Sequence, residues 1–201
     1  MTEKKPLRTA VLAAREAGLS LLREGLDGNA KVNIASVFTH GSLPKAEGGG
    51  PRPELEAYKA FCADRDIPLT VLDAPEAKQI EVYFPENLDL LVAVSWRFLL
   101  SSKALRLPKL GALNLHRGAL PEYAGAEPVR RAIEAGETHA AITAHMMTEE
   151  IDAGPEIARV WLEMKKPGDN CSSGEHAEVV KKRLLALYGP LARLAIDSLA
   201  A

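Results

Sequence analysis

Short apolar runs, each bounded by charged or turn-forming residues, recur along the chain at TAVLAA (9–14), NIASVF (33–38), PLTVL (68–72), LDLLVAV (88–94) and GALNL (111–115). Runs of this length and composition predict strands buried on both faces. Between them the apolar positions recur at helical spacing. Residues 15–26 gather Ala17, Leu21 and Leu22 on one side, 54–65 gather Leu55, Tyr58 and Phe61, and SSKALRL at 101–107 opens with a serine cap. Strands alternating with helices predict right-handed crossovers and an α/β fold: an open, mostly parallel twisted sheet with helices on both faces.

The pattern continues with a helix over 126–135, turning Val129, Ala132 and Ile133 inward, and with strands at AAITAHMM (140–147) and EIARVWLEM (156–164). A long run at 174–199 is apolar at Val179, Leu184, Leu187, Leu191, Leu194 and Leu199, and Gly189-Pro190 is expected to kink or break it. HGSLPKAEGGGPRPE (40–54) is too rich in Gly and Pro for regular structure. It is expected to be a long loop, either merely solvated and mobile or a lid over a substrate. No second domain is visible.

Composition narrows the function classes. With 201 residues, 47% apolar and 26% charged, the chain can bury on the order of 70% of its unfolded surface as one domain. The formal charge of -2 mixes both signs without a basic stripe, which disfavours a nucleic-acid partner. Cys62 and Cys171 form no Cys-x-x-Cys pair, so two reduced thiols, a cytoplasmic location and no metal site are expected. The N-terminal TAVLAA is too brief for a signal peptide or a membrane span.

Candidate chemistry gathers in ALNLHRGALPEYAGAEPVRRAI (112–133), where Asn114 and His116 stand two apart at the end of an apolar run. Period-two geometry points both to the same side, at the carboxyl end of the fifth strand, where open parallel sheets bind ligands. Either alone is more often a satisfied structural residue. Together, before an irregular loop, they suit general acid–base chemistry if a carboxylate orients the imidazole, and Asp152 in EEIDAGPEI is the candidate. The plainer reading of Asp152 is a turn residue before Gly154-Pro155. His40 can serve the 40–54 loop, while His139, His145 and His176 read as surface or strand residues. AREAGLS after the first strand lacks a Gly-rich phosphate fingerprint, which speaks against a dinucleotide-dependent dehydrogenase, and no G-x-S-x-G elbow marks a hydrolase.

LNLHRGALPEYAGAEPVRRAIEAGE, followed by ITAHMMTEEIDAGPEI, resembles the signature of the folate-dependent formyltransferase family: Asn-x-His, then Leu-Pro, then Gly, and a later Asp-x-Gly turn. Leu120-Pro121 and Gly125 recur in order with the three polar positions. LLVAVSWRFLL resembles the strand and loop that hold the folate. VLAAREAGLSLLREGL with ASVFTH is similar to the start of the sugar-nucleotide N-formyltransferases and of the methionyl-tRNA enzyme.

The resemblance implies a Rossmann-like formyltransferase fold and transfer of a formyl group from 10-formyltetrahydrofolate to an amine. By position it implies Asn114, His116 and Asp152 as catalytic residues. Ser95, Trp96, Arg97, Phe98, Leu99, Met147, Thr148 and Glu149 would surround the folate. Three departures stand near the acceptor: Gly118 where the family usually has Ser, Ala124 where an Arg is often near, and Arg117 in place of a small residue or proline.

The glycinamide-ribonucleotide enzymes carry a Gly-Ser-Asn phosphate loop absent from AAREAGLS, and the methionyl-tRNA enzymes a C-terminal barrel. The expectation is therefore one catalytic domain over 1–201 without that barrel. It would act on a small amine, a nucleotide-linked aminosugar among the candidates, with no membrane partner and with a homodimer left open. A 10-formyltetrahydrofolate hydrolase and a non-catalytic folate-binding module are the alternatives.

Overall fold

Residues 5–165 and 172–200 are described by the structure, a computed structural model; Cys171 and the first four residues of the N-terminal segment lie outside them. Seven strands form one sheet: β1 (Leu7–Ala13), β2 (Val32–Thr39), β3 (Leu69–Val71), β4 (Leu90–Val94), β5 (Ala112–His116), β6 (His139–Met146) and β7 (Glu156–Glu163). Their order is β3-β2-β1-β4-β5-β6-β7, with β1 to β5 parallel and β6 and β7 antiparallel. The mostly parallel α/β expectation holds. The chain leaves β1 outward through β2 and β3 and returns to β4 beside β1, so the winding direction switches between β1 and β4.

The central runs became strands because both faces are covered: all of β4 is buried, as are Ala10 to Ala13 of β1. One face packs on helices α1 (Arg15–Ser20), α2 (Leu55–Ala63), α4 (Pro128–Glu134) and α5 (Ser173–Leu199) through Leu19, Phe61, Val129 and Leu184. The other, with Leu12, Phe38 and Leu91, is covered by a tight helical stretch over Glu76–Tyr83 and by residues around α3 (Ser102–Arg106). Ser101 caps α3 as expected, its Oγ accepting the Ala104 N–H at 3.0 Å. Burial on both faces fails at the edge: β7 is only partly covered and Trp161 is 55% exposed.

Three other expectations change. The 15–26 helix is α-helical only to Ser20 and continues as a π-helical turn over Leu21–Leu26, burying Leu21, Leu22 and Leu26 together. Helix α5 runs unbroken through Pro190, because Tyr188, Leu191 and Ala192 on either side are buried and their packing outweighs the lost backbone bond, worth about 3 kcal/mol. Gly189 meets the π-helical turn: a Cβ there would lie 2.5 Å from that of Glu24. Of the apolar positions on α5, Val179 and Leu194 face solvent, and His176, Ala177, Val180, Ala195 and Ile196 complete the buried stripe. The 40–54 loop holds one tight turn at Lys45–Glu47 and a bridge between Ser42 and Pro51. No described helix is long and apolar enough to cross a membrane.

Candidate active site

Strand β5 alternates as its sequence requires. Leu113 and Leu115 belong to the core under α5, so Asn114 and His116 point to the opposite face. Antiparallel pairing then sets Asn114 opposite His145 and His116 opposite Thr143 on β6. The turn between β6 and β7 brings back Asp152, whose backbone is left-handed at φ 53°, a conformation Asp tolerates better than most residues. Two residues on, Gly154 presses against the end of β6: a Cβ there would lie 1.8 Å from the Met146 carbonyl oxygen. The Asp-x-Gly spacing is thus a packing requirement that aims the carboxylate.

Asn114, His116 and Asp152 converge, and His145 joins them. Asp152 Oδ2 lies 3.2 Å from His116 Nδ1 and accepts the Gly125 N–H at 2.9 Å; Oδ1 lies 3.4 Å from His145 Nε2. Asn114 Nδ2 lies 3.1 Å from the same His145 Nε2. The far nitrogens of both rings face backbone carbonyls, His116 Nε2 at 2.8 Å from Tyr123 O and His145 Nδ1 at 3.1 Å from Met146 O. Each ring therefore donates outward and turns its other nitrogen to one shared carboxylate.

Burial pulls His116 below the ordinary imidazole range, against the Tyr123 carbonyl and the Asp152 carboxylate, which favour its charged form. For Asp152 burial alone acts upward, but the contact with His145, the Gly125 N–H and the two imidazoles outweigh it and hold the carboxyl low. At neutral pH the cluster is a carboxylate flanked by two rings, able to take up a proton and move it between three groups.

These residues border a cavity of about 740 Å³. All eight residues expected around the folate, Ser95 to Leu99 and Met147 to Glu149, line it. Trp96, Phe98, Leu105 and Met147 pack on the core face away from α5 and give an apolar wall for a flat ring. Ser95, at φ 54°, makes the turn out of β4. Arg97 is tied down, donating to Ser42 O at 2.8 Å and Asp73 at 2.7 Å, and so anchors the 40–54 loop. Glu149 lies 3.3 Å from Arg106 on the surface, and Leu99 is 74% exposed.

The histidines need correcting. His145 is 1% exposed and inside the cluster, although sequence alone reads it as an ordinary strand residue. The missed signal is that Thr143 and His145 share a face of a strand ending six residues before Asp152. His40 does not serve the loop: it is fully buried, donates to Leu72 O at 2.8 Å and stacks on Trp96 with ring centroids 4.0 Å apart. His176 is buried on α5, and only His139 is exposed on its strand. Cys62 is free and buried, which pushes its thiol up to about 11. Among the described residues no His, Cys, Asp and Glu side chains group so as to hold a metal ion.

Known proteins share both sequence and shape with this chain. A methionyl-tRNA formyltransferase of Thermotoga neapolitana is 34% identical over 125 residues, 62% of this chain and 39% of that protein. One from Bacteroides thetaiotaomicron is 27% identical over 201 residues, 98% of this chain and 58% of its own length. The chain thus spans less than two thirds of these curated relatives. The crystal structure of a phosphoribosylglycinamide formyltransferase from Brucella melitensis superposes with a TM-score of 0.71 at 24% identity, covering 98% of this chain and 97% of that one, which shows the fold. The sequence model of the formyl transferase family matches residues 7–179, spanning β1 to the start of α5 with every residue of the Asn114, His116, His145 and Asp152 cluster inside it, and the chain belongs to that family.

Proposed function

We propose that this protein transfers a formyl group from 10-formyltetrahydrofolate to the amine of a small acceptor, with Asn114, His116 and Asp152 as its catalytic residues. The observation that carries the reading is the shared carboxylate: Asp152 faces an imidazole with each oxygen, directly beside an apolar slot of the size a folate needs.

Attack of a neutral amine on the formyl carbon makes a tetrahedral oxyanion and leaves a proton on the attacking nitrogen. The free N–H of Asn114 is placed to donate to that oxyanion, and His116 would join by exchanging the Tyr123 carbonyl for it. Asp152 takes the proton from the attacking nitrogen, directly or through one water. As the carbon–nitrogen bond of the donor breaks, the proton passes to the departing nitrogen of the folate. One formamide forms, one tetrahydrofolate leaves, and the protein returns to its starting charge. His145 holds the Asn114 amide and the second carboxylate oxygen, which makes it a positioning residue.

A small acceptor is supported by the balanced charge of -2 and the absence of a basic stripe. The test is to incubate the protein with 10-formyltetrahydrofolate alone, with a panel of small amines, and with methionyl-tRNA. Amine-dependent release of tetrahydrofolate is the expected result. Release without any amine would make it a hydrolase, release only with methionyl-tRNA would move the acceptor to nucleic acid, and folate binding without turnover would leave a binding module.

A further inference from the structure

Arg117 is an arginine where the family has a small residue or proline, next in sequence to His116. By the alternation of β5 its side chain leaves on the face of Leu113 and Leu115, the α5 side, opposite to Asn114 and His116. The cavity wraps over this strand end: Arg117, Pro128 and Tyr188 line it on the α5 side, and Trp96 and Phe98 on the other. Arg117 is half-buried, its Nε is enclosed without a hydrogen-bond partner, and among the described residues no carboxylate lies within 4.0 Å of its nitrogens.

The acids around it are taken. Glu127, at the cavity wall, and Glu178, on α5, both pair with Lys181, at 3.3 and 2.9 Å. Glu178 is held below the usual carboxylate range chiefly by that lysine, with Arg117 a lesser influence. The buried Tyr188 lines the same cavity, and the Arg117 charge acts on its phenol against the upward pull of burial. A cation with an enclosed, unpaired donor is unfavourable unless an anion completes it.

We propose that Arg117 is the residue that selects the acceptor, gripping an anionic group, carboxylate or phosphoryl, carried close to the amine that is formylated. The assignment rests on the formyl-transfer reading and names the substrate class of that site. The amine lies over Asn114 and Asp152, and the anionic arm crosses the strand end to Arg117. Two adjacent residues on opposite faces of one strand thus divide the work, His116 serving the reaction and Arg117 the recognition.

The test measures amine binding by calorimetry in wild type, Arg117→Gln and Arg117→Lys, with two matched probe pairs: O-phosphoethanolamine against ethanolamine, and glycine against glycinamide. Melting temperature checks that each variant is folded. In wild type the anionic member of one pair should bind about tenfold or more tightly than its neutral partner, and the pair that responds identifies phosphoryl or carboxylate. R117Q should erase the preference and R117K should keep part of it. Equal binding of both members in wild type, a preference that survives R117Q, or a loss confined to folate affinity would overturn the proposal. Formyl transfer is scored separately: an anionic amine bound through Arg117 but never formylated sinks the transfer reading alone, and equal formylation of charged and neutral amines sinks this one alone.

Discussion

Oδ2 of Asp152 lies 3.2 Å from Nδ1 of His116, on a ring whose Nε2 already faces the Tyr123 carbonyl at 2.8 Å. Only an imidazolium satisfies both contacts, while burial draws His116 the other way. The Tyr123 carbonyl first and the carboxylate second keep the charged form within reach. Asp152→Asn removes that support at constant size, so His116 should fall further below the ordinary imidazole range. The rate at neutral pH should drop by roughly 100-fold, since both the proton acceptor and the support for the ring are lost, and acidification, which protonates the ring but restores no acceptor, should bring back only the part owed to the ring. A kcat profile from pH 8 to 5 checks this; a variant whose rate falls in parallel with wild type as pH drops would show that Asp152 does not act through His116.

Asn114→Ala and His116→Ala remove donors needed only on the reaction path. Each should lower kcat by about 100-fold or more while folate affinity stays near wild type. The competing view is that these groups merely satisfy a strand end, at about 1–3 kcal/mol each. Melting temperature and kcat measured on the same proteins separate the two. Folded variants with near-normal turnover would end the catalytic assignment.

His145→Asn tests the positioning role. His145 Nε2 lies 3.1 Å from the Asn114 amide nitrogen and 3.4 Å from Asp152 Oδ1, so one ring fixes both groups. The variant should lose about tenfold in kcat while folate affinity and melting temperature stay near wild type. An unchanged kcat would reduce His145 to packing.

How much of this was legible depended on whether the signal was local. Asn114 and His116 could be assigned to one face because period two is a property of the strand itself, and the central runs were unmistakable because both faces of β1 and β4 are covered. His145 was not legible, since its meaning comes from the antiparallel register that sets it opposite Asn114, and nothing in ITAHMM announces a partner strand. Pro190 misled for the same reason. The rule that breaks a helix at proline is local, and the packing of Tyr188 and Leu191 that overrides it is not. The loops proposed to surround the folate were read from their motif; the enclosed Nε of Arg117 and the stack of His40 on Trp96 come only from the folded structure.

Gly118 stands where the family usually has serine, and restoring the serine should harm the protein. A Cβ at this position would lie 2.7 Å from Pro128 Cβ and 2.9 Å from His116 Nε2. Gly118→Ser must push the imidazole off the Tyr123 carbonyl or shift the start of α4. The expected result is a loss of about 1–3 kcal/mol in denaturant unfolding together with a lower kcat. A variant as stable and active as wild type would show that the loop after β5 gives way freely.

Acid should destabilise the fold, and the sign follows from three groups. Burial, the largest influence on His40, lowers it from 6.5 to about 4, with Arg97 and Arg52 acting the same way and the Leu72 carbonyl and Asp73 opposing. His116 is lowered as well, again by burial first. A ring depressed in the folded state stays neutral there while the unfolded chain binds a proton, so its stability is whole above pH 6.5 and is lost as pH falls toward 4. Asp152, also depressed, adds a loss further down, below the ordinary carboxylate value. The melting temperature should therefore fall between pH 6.5 and 4, with the decline beginning above the range in which surface carboxylates titrate. His40→Gln can still donate to the Leu72 carbonyl but cannot titrate, so its melting temperature should start lower at pH 7.5 and decline less steeply. Parallel declines for variant and wild type would show that the buried ring beside Trp96 is not what couples this fold to pH.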